Sequence, residues 1–409
     1  MSEKIYEIRD VIYGFIQFDE QEKDIINHPI FQRLRRIKQL ALTDMVYPGA
    51  THTRFEHSLG VVQMATDIFD SIVQKSASTL NAELSLRPEG LKKWRKTIRL
   101  AALLHDIGHA PFSHAGEENM PYISGGKKHY EHEAYSIAII KSYFKQLIED
   151  HKINNNYGVR VEEVTALLGD DTVKQSASLL LWKGIISGQL DADRADYLLR
   201  DSLHIGVSYG LYDRNRLISC MTIGKTETDA LVLAIQEGGW HIAESLVIAR
   251  YQMFLQVYFH KTRRIYDYHI SKAMKSILTT IYPKESFFPT PDKLDEYINF
   301  DDWAMHSYLK EGKGGTHGEI VLNRKHYKCL FTTEIIPTGE DEQKLKDIIE
   351  KNNAKDFYMD QAKTSWYKPE KDIWIAGDEN IKLQPLSQKS TIINAMVESP
   401  NIKRIFVER

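Results

Sequence analysis

In the stretch Leu103-Leu104-His105-Asp106-Ile107-Gly108-His109 an imidazole and a carboxylate, both metal-ligand types, stand side by side, and another imidazole follows. The run before them carries Ile98, Ala101, Ala102 and Leu104 at helical spacing, which predicts that His105 and Asp106 sit near the buried end of a helix. Two such groups are costly there unless they are paired or bound to a cation. His109 lies one turn after His105 and on the same side if the helix continues, although Gly108 and Pro111 predict an end about here. A lone His-Asp pair is most often a packed histidine beside a surface charge, but this pair is not alone. Upstream, Thr51-His52-Thr53-Arg54-Phe55-Glu56-His57 opens an amphipathic helix and offers His57, with Arg54 one turn before it. Downstream, Asp191, Asp193 and Asp196 crowd one short helical stretch, which is unfavourable without a cation nearby. Asp191 is a candidate N-cap, leaving Asp193 or Asp196 to ligate. Two histidines and two aspartates suit a divalent ion such as Mn, Fe, Zn, Co or Mg, and a six-coordinate ion held by four ligands keeps open positions for water and substrate.

The elements that must position these groups are mostly helices. Apolar spacing predicts them over 30–42, 57–76, 88–107, 131–149, 160–168, 174–186 and 193–203, with a long one over 240–282. Residues 76–88 read as a loop, and 120–128, with Gly125 and Gly126, as a mobile flap able to act as a lid. A strand or turn is expected near Tyr6 to Gly14, and a hairpin over 221–224 and 230–235. After Pro283 the composition shifts to Pro, Asp and Gly, predicting a helical insert at about 290–310 and a linker over 310–318. Strand-like runs at 327–333, 373–376 and 402–407, with helices near 340–352 and 388–398, predict a small α+β unit. The expected fold is therefore mostly α: a helical bundle over 1–317, its core about 30–265, and a small α+β domain over 318–409.

Composition bounds the function. The chain has 409 residues, long enough for a sizeable core, and 53 basic against 56 acidic residues give a net charge of −3, so no global field draws it to nucleic acid or membrane. Basic clusters at 33–38, 92–96 and 260–264 are solvated faces or parts of an anion site. Two cysteines, Cys220 and Cys329, without a CxxC argue against a disulfide framework or a cysteine zinc site. No apolar run approaches the ~18 residues of a membrane span, and the polar first ten residues read as those of a cytoplasmic protein.

His57, His105-Asp106 and Asp193, in that order, match the H…HD…D pattern of the HD-domain metal-dependent phosphohydrolases. The flanking stretches Phe31-Gln32-Arg33-Leu34-Arg35-Arg36, Tyr47-Pro48-Gly49-Ala50, Pro111-Phe112-Ser113-His114 and Asp196-Tyr197-Leu198-Leu199-Arg200-Asp201 resemble the deoxynucleoside triphosphate triphosphohydrolase branch, which includes bacterial dGTPases and the vertebrate sterile-alpha-motif/HD-domain enzyme. The resemblance is dense over about 6–265 and thins afterwards.

That resemblance implies an HD-domain bundle binding one divalent ion through His57, His105, Asp106 and Asp193. It implies hydrolysis of a dNTP to deoxynucleoside and inorganic triphosphate, by attack of a metal-bound water or hydroxide on the α-phosphorus. By the same resemblance His114 is the proton donor, with Glu117 one turn later to orient it, and His132-Glu133 a second active-site pair. Arg54, His109, Arg194, Tyr197 and Arg250 match the triphosphate-binding positions. Gln39, Leu40, Asp201 and Tyr258 match those around the sugar, where close packing at C2′ excludes a ribonucleotide. Phe259 and Phe254 stand where the vertebrate enzyme has a glutamine and a histidine, so base preference is not inherited. The family also implies a homo-oligomer, dimer or tetramer, and a nucleotide activator, for which Gln32 and Arg35 match while Asn27 departs. The expected setting is nucleotide-pool control or defence against phage. Two other readings compete: an HD-type nuclease or phosphohydrolase that cuts another phosphate bond, for which nucleic acid would be a partner, and a catalytically silent nucleotide sensor.

Overall fold

The computed structural model describes residues 4–123, 126–351, 357–363, 366–377, 383–396 and 398–408. It opens on an antiparallel hairpin of β1 (Tyr6–Asp10) and β2 (Gly14–Phe18), turned at Gly14 with φ +78°. α1 (Glu20–Asn27) starts at Asp19, whose carboxylate accepts from Glu22 N while the Glu22 side chain accepts from Asp19 N. α2 (Pro29–Gln32) is a single turn. The expected helix over 30–42 does not form beyond it: a 3-10 turn follows at Arg33–Arg36, and Lys38 bridges to Thr53 instead. Local periodicity yields here to Arg33, whose buried side chain binds distant backbone carbonyls.

The bundle follows. α3 (Arg54–Leu84) begins with a Thr53/Glu56 capping box and runs through the region expected to be a loop, ending at left-handed Ser85 before α4 (Pro88–Leu104), which has Pro at its first turn. After α5 (His114–Glu117), α6 (His132–Ile139) continues through a π-turn at Ile140–Phe144 into α7 (Lys145–Glu149). Next come α8 (Val161–Leu167), α9 (Ala177–Ser187), α10 (Ala192–Ile205) and α11 (Arg214–Cys220). α3 packs along both α4 and α10, so the three ligand-bearing segments meet at one level of the bundle. In the expected flap, Tyr122 and His129 form a bridge, and Gly125 lies outside the described residues.

The hairpin of β3 (Met221–Lys225) and β4 (Leu231–Gln236) leads to α12 (Trp240–Met253). The long helix expected over 240–282 breaks after a π-turn at Phe254–Tyr258, and α13 (Lys261–Ile281) restarts with the His260 Nδ1 accepting from Thr262 N. The insert is two helices, α14 (Leu294–Tyr297) and α15 (Asp302–Lys310). The expected linker over 310–318 is a turn after α15 followed by the start of α16 (Gly315–Leu322), which packs on α13, so residue 317 falls inside a helix. β5 (Lys328–Thr332), α17 (Gly339–Lys351), β6 (Phe357–Ala362), β7 (Trp374–Ala376), β8 (Leu383–Pro385), α18 (Leu386–Lys389), α19 (Thr391–Ala395) and β9 (Ile402–Val407) complete the chain. These strands divide between two sheets: β5-β9-β6, and β3-β4-β7-β8, in which β7 runs parallel to β4. The fold is mostly α, as expected.

Candidate active site and metal centre

Three helix ends bring the candidate ligands together. His57 stands in the first turns of α3, His105 and Asp106 just past the end of α4, and Asp193 in the first turn of α10, where Asp191 caps by accepting from Arg194 N at 2.8 Å. Ligand atoms of His57, His105 and Asp106 lie within 4.8 Å of one another. Asp193 Oδ1 is 3.0 Å from His57 Nε2 and 3.9 Å from His105 Nε2. The sequence left Asp193 and Asp196 open as ligands; the geometry separates them. Asp196 sits behind His57, its Oδ2 accepting from Nδ1 at 2.8 Å, which leaves Nε2 of that ring facing the other ligands.

The residues fit a divalent cation. His105 Nδ1 donates to Ala102 O at 2.8 Å, while its buried Nε2 makes no hydrogen bond and faces Asp106 Oδ1 at 3.2 Å. The carboxylates around His57, Asp196 buried and Asp193 about one third exposed, carry the same signature. Burial opposes charge on that ring, yet hydrogen bonds to Asp193 and Asp196 raise its pKa to about 10. Burial likewise opposes the Asp193 carboxylate, but the hydrogen bond from His57 brings it down to about 2. A proton thus holds the place for which a cation would compete.

The loop after α4 does not continue the helix. His109 N bonds Asp106 O at 3.1 Å, turning the His109 ring onto His132, with centroids 3.7 Å apart. Arg33 fixes this loop through His109 O (2.8 Å), and Tyr297 through Gly108 O (2.7 Å). Gly108 is required by close approach, since a Cβ there would stand 2.2 Å from Ser136 N of α6. Phe112 and Ser113 then take positive φ values of 56° and 54°. Asp302 of the insert holds that turn, accepting from Phe112 N at 2.7 Å and Lys38 N at 2.9 Å. Ser113 Oγ in turn accepts from Arg54 Nε at 2.8 Å, and the same guanidinium binds Asp106.

Beside the ligand cluster lies a second group. His114 Nδ1 is 2.9 Å from Glu117 Oε2, and His132 Nδ1 is 2.6 Å from Glu117 Oε1. Glu133, the expected partner of His132, is farther, at 3.4 Å. Burial opposes a charged His132, but Glu117 raises it to about 9. Burial, followed by the Arg54 charge, keeps His109 neutral, well below the usual imidazole range. His114 is 64% exposed, at the mouth of the group.

This arrangement borders a cleft of about 470 Å³, although His57, His105 and Glu117 are not among its lining residues. Of the predicted residues, Gln39, Leu40, Arg54, Asp106, His109, His114, His132, Glu133, Asp193, Tyr197, Asp201 and Tyr258 line it. The Tyr258 hydroxyl donates to Asp201 Oδ2 at 2.6 Å, and the other oxygen of Asp201 lies 2.8 Å from His52 Nε2. Arg194 and Arg250 do not line it: Arg194 turns to Gly188 O and Asp191, and Arg250 gives an Nη1 hydrogen bond to Trp366 O. Arg263, Arg264, Asp267 and Tyr268 of α13 and Tyr358 of β6 also line the cleft. Sequence reasoning had no signal for Tyr358, which arrives from a strand far along the chain to stack on Tyr268 at 3.7 Å.

A family model for the HD domain matches residues 54–201, and one for the HD associated region matches 212–365. The chain belongs to the HD-domain family. It is 37% identical over 329 residues to an uncharacterized protein of Methanocaldococcus jannaschii, covering 80% of this chain and 59% of that one. It is 30% identical to the deoxynucleoside triphosphate triphosphohydrolase SAMHD1 homolog of Dictyostelium discoideum, over 85% of this chain and 64% of that one. The chain thus spans about three fifths of these relatives' length. A crystal structure of a hypothetical protein from Aquifex aeolicus superposes with a TM-score of 0.80 at 29% identity, over 99% of this chain and 97% of that one. Among the described residues, no helix is long and apolar enough to cross a membrane.

Proposed function

We propose that this chain hydrolyses deoxynucleoside triphosphates to deoxynucleoside and inorganic triphosphate. The observation that supports the reading is the closeness of the His57, His105 and Asp106 group, with Asp193 3.0 Å from His57, to the Glu117-linked histidines beside one cleft. His57, His105, Asp106 and Asp193 would hold one divalent ion, which when bound lowers the pKa of a coordinated water and polarises a phosphoryl oxygen. Arg54, held by Ser113 and Asp106, presents a fixed cation beside that site for the α-phosphate. His114 supplies a proton to the departing 5′-oxygen, and Glu117 keeps its Nδ1 oriented and charge-balanced. His132, protonated up to about pH 9 because Glu117 outweighs its burial, adds positive charge on the same side. Gln39, Leu40, Asp201 and Tyr258 line the part of the cleft assigned to the sugar. Arg194 would have to leave Gly188 O and the Asp191 carboxylate, and Arg250 the Trp366 carbonyl, to reach the distal phosphates; Tyr197 already lines the cleft. The active species in this reading is a homo-oligomer, and a nucleotide activator is part of it.

Chromatography of a dNTP digest tests the reaction. Deoxynucleoside with inorganic triphosphate is expected. Deoxynucleoside monophosphate with pyrophosphate, or cleavage of a DNA oligomer without dNTP turnover, would replace this reading with the phosphohydrolase or nuclease alternative.

A further inference from the structure

The Asp196 carboxylate behind His57 is saturated by donors. Its Oδ2 takes the His57 Nδ1 proton at 2.8 Å and Arg200 Nε at 2.8 Å; its Oδ1 takes the Tyr13 hydroxyl at 2.8 Å and Arg200 Nη2 at 2.9 Å. Arg200 is fully buried, and its remaining nitrogen Nη1 reaches Asp10 Oδ2 at 2.9 Å. Asp10 ends strand β1, and its Oδ1 accepts from Ile12 N (2.8 Å) and Tyr13 N (3.0 Å), closing the turn of the N-terminal hairpin. An unbroken chain of hydrogen bonds, buried from Asp10 onward, therefore runs from the hairpin turn to the ring of a candidate ligand. Gly60 of α3 makes room for it, since a Cβ there would stand 2.1 Å from Asp196 Oδ1 and 2.2 Å from Arg200 Nη2.

Buried ion pairs contribute little net stability, because desolvation offsets the attraction; what they do well is fix geometry. A carboxylate that holds the far nitrogen of a ligating imidazole sets its tautomer and angle, and losing such a partner typically weakens metal binding ~10–100-fold. The hairpin lies outside the segment matched as HD domain, which starts at residue 54. We propose that Asp10 and Tyr13 are positioning residues for the cation site: through Arg200 and Asp196, the N-terminal hairpin holds His57 in its ligating orientation. The inference rests on the reading of His57 as a metal ligand.

The test is Mn²⁺ titration of metal-free full-length protein by calorimetry, comparing wild type with Tyr13→Phe, Asp10→Asn and Asp106→Ala, alongside thermal unfolding of each metal-free protein. Tyr13→Phe removes one hydroxyl, so it keeps the test readable if Asp10→Asn fails to fold. The expected result is a folded Tyr13→Phe protein that binds Mn²⁺ ~10-fold more weakly. Its turnover should be restored by raising Mn²⁺, a rescue that a merely structural defect would not show. Unchanged Mn²⁺ affinity in folded Tyr13→Phe overturns the proposal. If Asp106→Ala also binds Mn²⁺ like wild type, the cation site itself is misassigned; if Asp106→Ala alone loses binding, only the hairpin's role falls.

Discussion

Glu117 and His132 share a 2.6 Å hydrogen bond between Oε1 and Nδ1, although fourteen residues and the flap separate them in the chain. The other oxygen of Glu117 is 2.9 Å from His114, so one carboxylate serves two rings. Glu117→Gln should therefore disturb both. Turnover should drop by roughly 10²–10⁴-fold, the range of an impaired general acid, while bound metal by elemental analysis stays at the wild-type level. Metal loss in this variant would show that the two clusters are not independent.

The same pair makes a pH-dependent contribution to stability. His132 is raised to about 9 in the fold against 6.5 unfolded, because the Glu117 interactions exceed the burial penalty. Its contribution is present in full below pH 6.5 and is lost as pH rises through about 9. The stability gap between wild type and His132→Gln, read by denaturant unfolding, should shrink across that window. A gap that is constant from pH 6 to 9.5 would contradict the pairing.

The Asp106 carboxylate binds the Arg54 guanidinium and lies 3.2 Å from His105 Nε2 and 3.3 Å from His109 Nε2. Asp106→Ala should abolish both bound divalent ion and turnover. Elemental analysis of the purified variant decides it, since full metal with full activity would remove Asp106 from the site.

Asp302 carries no chemistry of its own in this reading, but its carboxylate oxygens accept from Phe112 N and Lys38 N and so clamp the left-handed turn at Phe112 and Ser113 that leads into His114. Asp302→Ala leaves that turn to relax, and ~1 Å of displacement near a reacting centre costs on the order of a hundredfold. kcat should fall by about that much, with KM changing less. Wild-type kcat in a folded variant would show that the turn holds without the clamp.

Leu40 and Gln39 are each more than nine-tenths buried at the cleft wall, and Tyr258 is tied to Asp201 beside them. If they close around C2′, dATP should be hydrolysed ~10²-fold faster than ATP, by the same displacement argument. Equal kcat/KM for the two would exclude a sugar-reading role for this wall.

The candidate ligands were legible in the sequence because residue type carries their chemistry: imidazoles and carboxylates at the ends of apolar helical runs need a cation or partners, whatever the fold. The helices that bear them were legible too, since α3, α4 and α10 each show apolar periodicity and Asp191 is a capping residue type at the start of α10. What only the tertiary structure decided depends on groups brought together from distant parts of the chain. Asp193 faces the cluster and Asp196 stands behind His57, a difference of one helical face that spacing left open. Glu117 rather than Glu133 became the close partner of His132, because the flap returns α6 beside α5. The helix expected over 30–42 gave way to short turns, and Arg33 within them binds the distant carbonyls of Phe300 and His109. The helix expected over 240–282 broke after Tyr258, whose hydroxyl meets Asp201. Periodicity reports which face of a segment is buried; it does not report which distant polar groups will claim the backbone, and those long-range hydrogen bonds set the shape of this site.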